Sequence, residues 1–155
     1  MKKAFAAALL FFAFSFSYSQ TFSLSDTTFK VGSYYRTYSI AFTLGKAGLK
    51  NAQEPALDSI VSFLKTHPTL QLEIDVHADS RLSTKSNTNI TLARAKSIAD
   101  YIINKGIPTD RISARGYGKT KLLIPDSQIA KAKTVDEKER LHALNRRVEF
   151  KILAL

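Results

Sequence analysis

The chain has 155 residues, no cysteine and a formal net charge of +10, with 45% hydrophobic and 23% charged residues. That length holds one ordinary domain plus an extension, and the composition is that of a globular chain without low-complexity tracts. Without cysteine there can be no disulfide, thiolate metal site or Cys nucleophile, and no lipobox cysteine to carry a lipid.

Residues 1–19 read as a secretory signal peptide. Lys2 and Lys3 form a basic start, Ala4 to about Phe14 is apolar, and Ser17-Tyr18-Ser19 before Gln20 suits cleavage. The apolar run is short for a spanning helix, which needs about 20 residues. Export out of the cytoplasm is the expectation. Setting Lys2 and Lys3 aside from the 23 basic residues leaves 21 against 13 acidic ones. Such a surplus suits an anionic partner, whether nucleic acid, an acidic membrane surface or a wall polymer. Export argues against nucleic acid, and the scattering of the basic residues along the chain fits a solvated surface.

Residues 20–37 read as an extended lead-in, with patches of alternation at Phe22/Leu24 and Phe29/Val31, and 38–155 as the domain proper. A strand is predicted over Tyr38–Leu44. In "NAQEPALDSIVSFLKTH", Asn51 and Glu54 have capping-box spacing and Pro55 suits a first turn. Leu57, Ile60, Val61 and Leu64 then fall on one helical face. "TLQLEIDVHAD" switches to period two, with Leu70, Leu72, Ile74 and Val76 opposite Gln71, Glu73 and Asp75. A second helix is predicted from about Thr88 to Lys105, closed by Gly106. A strand over Arg111–Gly116 follows, then a Lys-containing excursion over 119–135. Next comes a short helix capped by Thr134 with Glu137. In the last strand Val148, Phe150 and Ile152 alternate with Arg147, Glu149 and Lys151. The order β-α-β-α-β-(α)-β predicts an α+β sandwich, one mixed sheet with helices packed on one face.

Catalytic patterns are weak. "GYG" at 116–118 is too short for a phosphate loop, and no serine lies in a nucleophile elbow. His77 and Asp79 form an H-x-D pair at a strand end, but a metal needs three or four ligands and the sequence near them offers no others. Asp75 and Asp79 could be imagined as an acid/base pair, yet two carboxylates on or beside a strand are more often surface groups. No catalytic residue, metal or cofactor is therefore expected. Asp79 and Arg94 flank a Ser/Thr/Asn-rich loop and could form a structural ion pair or two halves of a ligand site.

Several blocks together carry a resemblance. His77-Ala78-Asp79 is followed by Asn87-x-x-Ile90-Thr91-x-x-Arg94-Ala95-x-x-Ile98, then by "YIINKGIPTDRISARGYG" and a closing "NRRVEFKI". In this order and spacing they resemble the OmpA-like C-terminal domain, over 40–153. Ala78 stands where the family has Thr, and Ser80, Arg81 and Leu82 replace its Asn and nearby Gly. The resemblance implies an OmpA-like sandwich that binds peptidoglycan without cleaving it, through the diaminopimelate of the stem peptide. It implies that Asp79 accepts the ligand's ammonium and Arg94 clasps its carboxylate with two parallel N–H bonds, a geometry lysine lacks. Asn87, Thr91, Ala78 and Ile90 would line the groove, with Arg146 and Arg147 secondary. Implied partners are peptidoglycan and, separately, outer-membrane or envelope proteins, with a homodimer left open; the implied location is the periplasm, with outer-membrane association also left open. The alternative is an envelope scaffold or adaptor of the same fold that binds a protein and has a weak or lost wall site.

Overall fold

The computed structural model describes residues 20–155; the expected signal peptide, 1–19, lies outside them. Four strands, β1 (Tyr34–Thr37), β2 (Gln71–His77), β3 (Ile112–Gly118) and β4 (Val148–Ala154), form one sheet in the order β1-β4-β2-β3. β2 and β3 run parallel, and β4 is antiparallel to both β1 and β2. A parallel pair needs a crossover, and α2 (Thr84–Asn104) supplies it. α1 (Glu54–Thr66) precedes β2. The one-turn α3 (Asp126–Ile129) and α4 (Val135–Asn145) lie between β3 and β4. The fold is α+β with a mixed sheet, as predicted.

Period two sorts the sheet into two faces. Leu72, Ile74, Val76, Val148, Phe150 and Ile152 point inward and are at most 2% exposed. Against them pack Leu57, Ile60, Val61 and Leu64 of α1 and Ala95, Ile98 and Ile102 of α2. Each large aliphatic residue buried this way contributes about 1.5–3 kcal/mol.

Two elements begin earlier than predicted. α2 starts at Thr84 because Ser83 caps it, accepting from Ser86 N at 3.2 Å. The edge strand is Tyr34–Thr37, not Tyr38–Leu44. Antiparallel pairing of Tyr34 with Lys151 through Thr37 with Val148 uses the earlier residues. After it, 38–46 turns away from the sheet, with Ile40 buried in the core and Phe42 packed against it. Before it, Phe22 stacks on Phe63 (5.6 Å) and Phe29 meets the same ring edge-on (5.4 Å), so residues from 20–33 share the core. At the start of α1 the cap is not Asn51. Gln53 accepts from Lys50 N at 2.5 Å and donates to Ala41 O at 2.6 Å, tying the helix start to the 38–46 segment.

Candidate functional site

The site forms where β2 ends. The ladder shifts between Val76 and His77, and the strand's last amides are still held: His77 N donates to Arg147 O (3.0 Å) and Ala78 N to Gly118 O (2.8 Å). This carries Asp79 into a buried position at one wall of a cavity of about 930 Å³. Asp79, Ala78, Asn87, Ile90, Arg94, Arg146 and Arg147 all line that cavity. Tyr38, Ile40, Phe42 and Leu44 complete it from the segment that turned away from the sheet. The backbone between Asp79 and α2 is fixed by Asn87, whose Nδ2 donates to Asp79 O (3.0 Å) and Leu82 O (3.2 Å).

Thr91 is placed otherwise than the groove expectation had it. It is fully buried and absent from the cavity wall. Its hydroxyl donates back to Asn87 O (2.7 Å) or Thr88 O (3.1 Å) and accepts from Gly118 N (2.9 Å), which clamps α2 to β3. Arg147 borders the cavity, but its guanidinium goes to Glu149 (2.8 Å), Asn145 O (3.3 Å) and Lys121 O (3.1 Å).

Asp79 and Arg94 make no ion pair with each other. Arg94 is half-buried and stacks over Phe42 (4.9 Å to the ring centre). Its Nε donates to Lys46 O (2.9 Å) and its Nη2 to Thr43 O (3.1 Å), which leaves Nη1 without a partner among the described residues. Burial pushes its pKa below the ordinary value for a guanidinium.

Asp79 is heavily engaged. Its Oδ2 accepts from Arg81 Nε (3.0 Å), Arg81 Nη2 (2.6 Å) and Arg146 Nη1 (2.7 Å), and its Oδ1 from Arg81 N (3.2 Å). Burial alone would raise this carboxyl. The hydrogen bonds from Arg81 and Arg146 outweigh it and hold the pKa down to about 2. The second Asp79 partner, Arg81, was visible in sequence only as a departure from the family pattern. Glu139, which receives both Arg81 and Arg146, lies 58 residues from Arg81 and gave no signal.

The opposite, outer face of the sheet is charged. Glu73, Asp75 and His77 of β2 and Glu149 of β4 are buried there, among Arg36, Arg115, Lys121, Arg147 and Lys151. Donor atoms of Asp75, His77 and Glu149 lie within 4.8 Å of one another, because β4 sets Glu149 opposite Asp75. Glu149, far along the chain, carried no local signal as a third potential ligand. The group is not short of positive charge, however: Glu149 Oε1 already takes Arg36 Nε (2.9 Å) and Arg147 Nε (2.8 Å). His77 Nε2 lies 3.4 Å from Glu149 Oε2, and its ring stacks on Tyr117 (5.0 Å). Burial lowers the His77 pKa, keeping the ring neutral.

Burial, with Glu73 beside it, raises the Asp75 pKa to about 7, and its Oδ1 has no hydrogen-bond partner. A carboxyl raised on folding holds its proton in the folded state after the unfolded chain has released it. Its stability contribution is therefore full below pH 4 and declines as pH rises towards 7. Asp75→Asn, which mimics the protonated form, is expected to match the parent near pH 4 and to exceed it above pH 7. The excess should be on the order of 2 kcal/mol, about half of what the full shift from 3.8 to about 7 corresponds to because solvent screens the group, read by urea denaturation across that range.

A mixed sheet covered on one face by two helices, with a charge-lined cavity where its central parallel strand ends, defines a class of small α+β domain built around a strand-end pocket. A model of the OmpA family matches residues 41–135, and the chain belongs to that family. It is 30% identical over 115 residues to outer membrane protein A of Serratia odorifera, covering 73% of this chain and 47% of that protein. The chain thus spans about half the length, or less, of the curated relatives it matches. Among solved structures, a putative MotB like protein from Desulfovibrio vulgaris superposes with a TM-score of 0.62 at 21% identity, over 77% of this chain and 71% of that one. The peptidoglycan-associated lipoprotein of Burkholderia pseudomallei does so with a TM-score of 0.59 at 18% identity, over 73% and 87%. No helix among the described residues is long and apolar enough to cross a membrane.

Proposed function

We propose that this domain binds peptidoglycan non-covalently, without cleaving it, and anchors the outer envelope to the cell wall from the periplasm. The observation that carries the reading is that Asp79 and Arg94 line one cavity while making no ion pair with each other. Membership of the OmpA family and the likeness to a peptidoglycan-associated lipoprotein support it. The ligand is the diaminopimelate of the stem peptide, whose free end carries an ammonium and a carboxylate on one carbon. Asp79 receives the ammonium. Arg94, positioned by the Lys46 and Thr43 carbonyls, presents the N–H groups of Nη1 to the carboxylate. Ile40, Phe42 and Ile90 contact the aliphatic chain between the two ends. None of this chemistry breaks a bond, and the domain acts as a binding module.

Sedimentation with purified peptidoglycan tests the proposal. Arg94→Ala should weaken binding about tenfold or more, the loss of one charged hydrogen-bonding partner, and Asp79→Ala should weaken it less, because Arg81 and Arg146 already hold that carboxylate. The double variant should lose little beyond Arg94→Ala, because both groups hold one ligand. Titration with free diaminopimelate, using Nα-acetyl-lysine amide as control, separates the zwitterionic end from a simple amine. If both single variants sediment like the parent, the reading is wrong.

One observation favours a second reading, that of an envelope scaffold or adaptor that binds a protein. Asp79 is already saturated by guanidinium groups. A parent protein that ignores purified peptidoglycan yet co-purifies with a defined envelope protein would establish that alternative.

A further inference from the structure

Asp79 belongs to a closed ring of alternating charge. Arg81 donates Nε and Nη2 to Asp79 Oδ2 and Nη1 to Glu139 Oε2 (2.8 Å). Arg146 donates Nη1 to the same Asp79 oxygen and Nη2 to Glu139 Oε1 (2.7 Å). Two guanidinium groups and two carboxylates thus neutralise one another, and Asp79 Oδ2 already receives three N–H groups. An arriving ammonium finds on this carboxylate no uncompensated charge and little free acceptor capacity. The two arginines are not equivalent. Arg146 follows directly on α4 and leads into β4, so regular structure fixes its backbone on both sides. Arg81 sits in the exposed loop between β2 and α2, with about half of its side chain in solvent. Its other partner, Glu139, is exposed to a similar degree, so Arg81 can leave Asp79 and still keep a carboxylate.

We infer that Arg81 is a specificity-determining residue that occupies the ammonium subsite from within the chain. Any ligand ammonium must displace it, so the site reads the carboxylate through Arg94 and gives the ammonium little weight. The inference rests on the proposed diaminopimelate site and sharpens what that site recognises. Its consequence is a parent protein that barely separates diaminopimelate from pimelate, the dicarboxylate of the same carbon skeleton without amino groups. Removing the Arg81 side chain takes two of the three N–H groups off Asp79 Oδ2 and leaves Arg146 there, so an ammonium can be received and selectivity for the diamino acid appears.

The experiment is a calorimetric titration of the parent, Arg81→Ala and Lys85→Ala with diaminopimelate and with pimelate. Lys85 is an exposed cation in the first turn of α2 with no tie to Asp79, so its removal changes the charge near the cavity alone. Circular dichroism of each variant checks that the fold is kept. Arg81→Ala should bind diaminopimelate about tenfold more tightly than the parent, about the effect of one charge-assisted hydrogen bond, with pimelate unchanged. Lys85→Ala should shift neither. If Arg81→Ala binds diaminopimelate no better than a parent that does bind it, the inference fails and the wall-binding reading stands. Equal gains in Arg81→Ala and Lys85→Ala would assign the effect to net charge and also overturn it. If the parent and Arg81→Ala both bind neither ligand, the site reading fails, and the inference with it.

Discussion

Gly116→Ala is expected to remove about 3 kcal/mol or more of stability, a large effect for one methyl group. β3 runs directly beneath the first half of α2. A Cβ at Gly116 would lie 2.2 Å from Leu92 N and 2.7 Å from both Leu92 Cα and Thr91 Oγ1. Two of these three atoms are helix backbone, which cannot swing aside as a side-chain tip would. α2 must therefore lift away from β3, and the movement reaches the site. Thr91 would lose its hold on Gly118 N, while Asn87 and Arg94 sit one turn to either side of Thr91 on the same helix. Urea denaturation should show the lower midpoint, and diaminopimelate affinity should fall with it. Gly48→Ala is the matched control. No atom lies within 4 Å of the added methyl and the backbone is not in the left-handed region, so its midpoint should stay within about 0.5 kcal/mol of the parent.

The central part of this architecture was legible because it rests on period. β2 and β4 alternate cleanly, and α1 places Leu57, Ile60, Val61 and Leu64 on one face, so their buried sides follow from the residues themselves. Asp79 and Arg94 were legible as a spacing, and they do share a cavity. The edge strand was not, because Tyr38–Leu44 alternates while Tyr34–Thr37, Tyr-Tyr-Arg-Thr, does not; only the register with β4 selects the earlier residues. The start of α2 was missed for a related reason. Ser80, Ser83, Thr84, Ser86, Asn87 and Thr88 are all residue types that can cap a helix, and the chain uses Ser83. Thr91 shows a third limit. Its position on the helix was evident, but whether it faced the cavity or β3 depended on the glycines that let β3 come close. The ring joining Asp79, Arg81, Glu139 and Arg146 lies beyond local pattern altogether, since it closes only when α4 folds back beside the β2–α2 loop.

Asn145→Ala is expected to cost about 3 kcal/mol through a mechanism unrelated to ligand contact. Asn145 is fully buried at the end of α4. Its Oδ1 accepts from Leu123 N (2.8 Å) and Ile124 N (2.9 Å), and its Nδ2 donates to Ile124 O (2.8 Å). One side chain thus satisfies three backbone groups of the long excursion after β3 and pins it against the start of β4. Truncation leaves those groups without their partner, and each buried unmet group costs about 1–3 kcal/mol. Asn145→Asp separates the accepting from the donating half of the clamp. Its carboxylate still accepts from both N–H groups but sets a negative oxygen against the Ile124 carbonyl. Protonation restores a donor there, so the Asp carboxyl should have a raised folded pKa. The deficit of Asn145→Asp should therefore be large at pH 7.5 and shrink towards pH 4, while that of Asn145→Ala stays level. Urea denaturation at the two pH values distinguishes them. A level deficit in both variants would mean that the donor half of the clamp contributes nothing. The consequence for binding is indirect: Arg146 follows Asn145 in the chain, so a loosened clamp also loosens one of the two guanidinium groups held on Asp79.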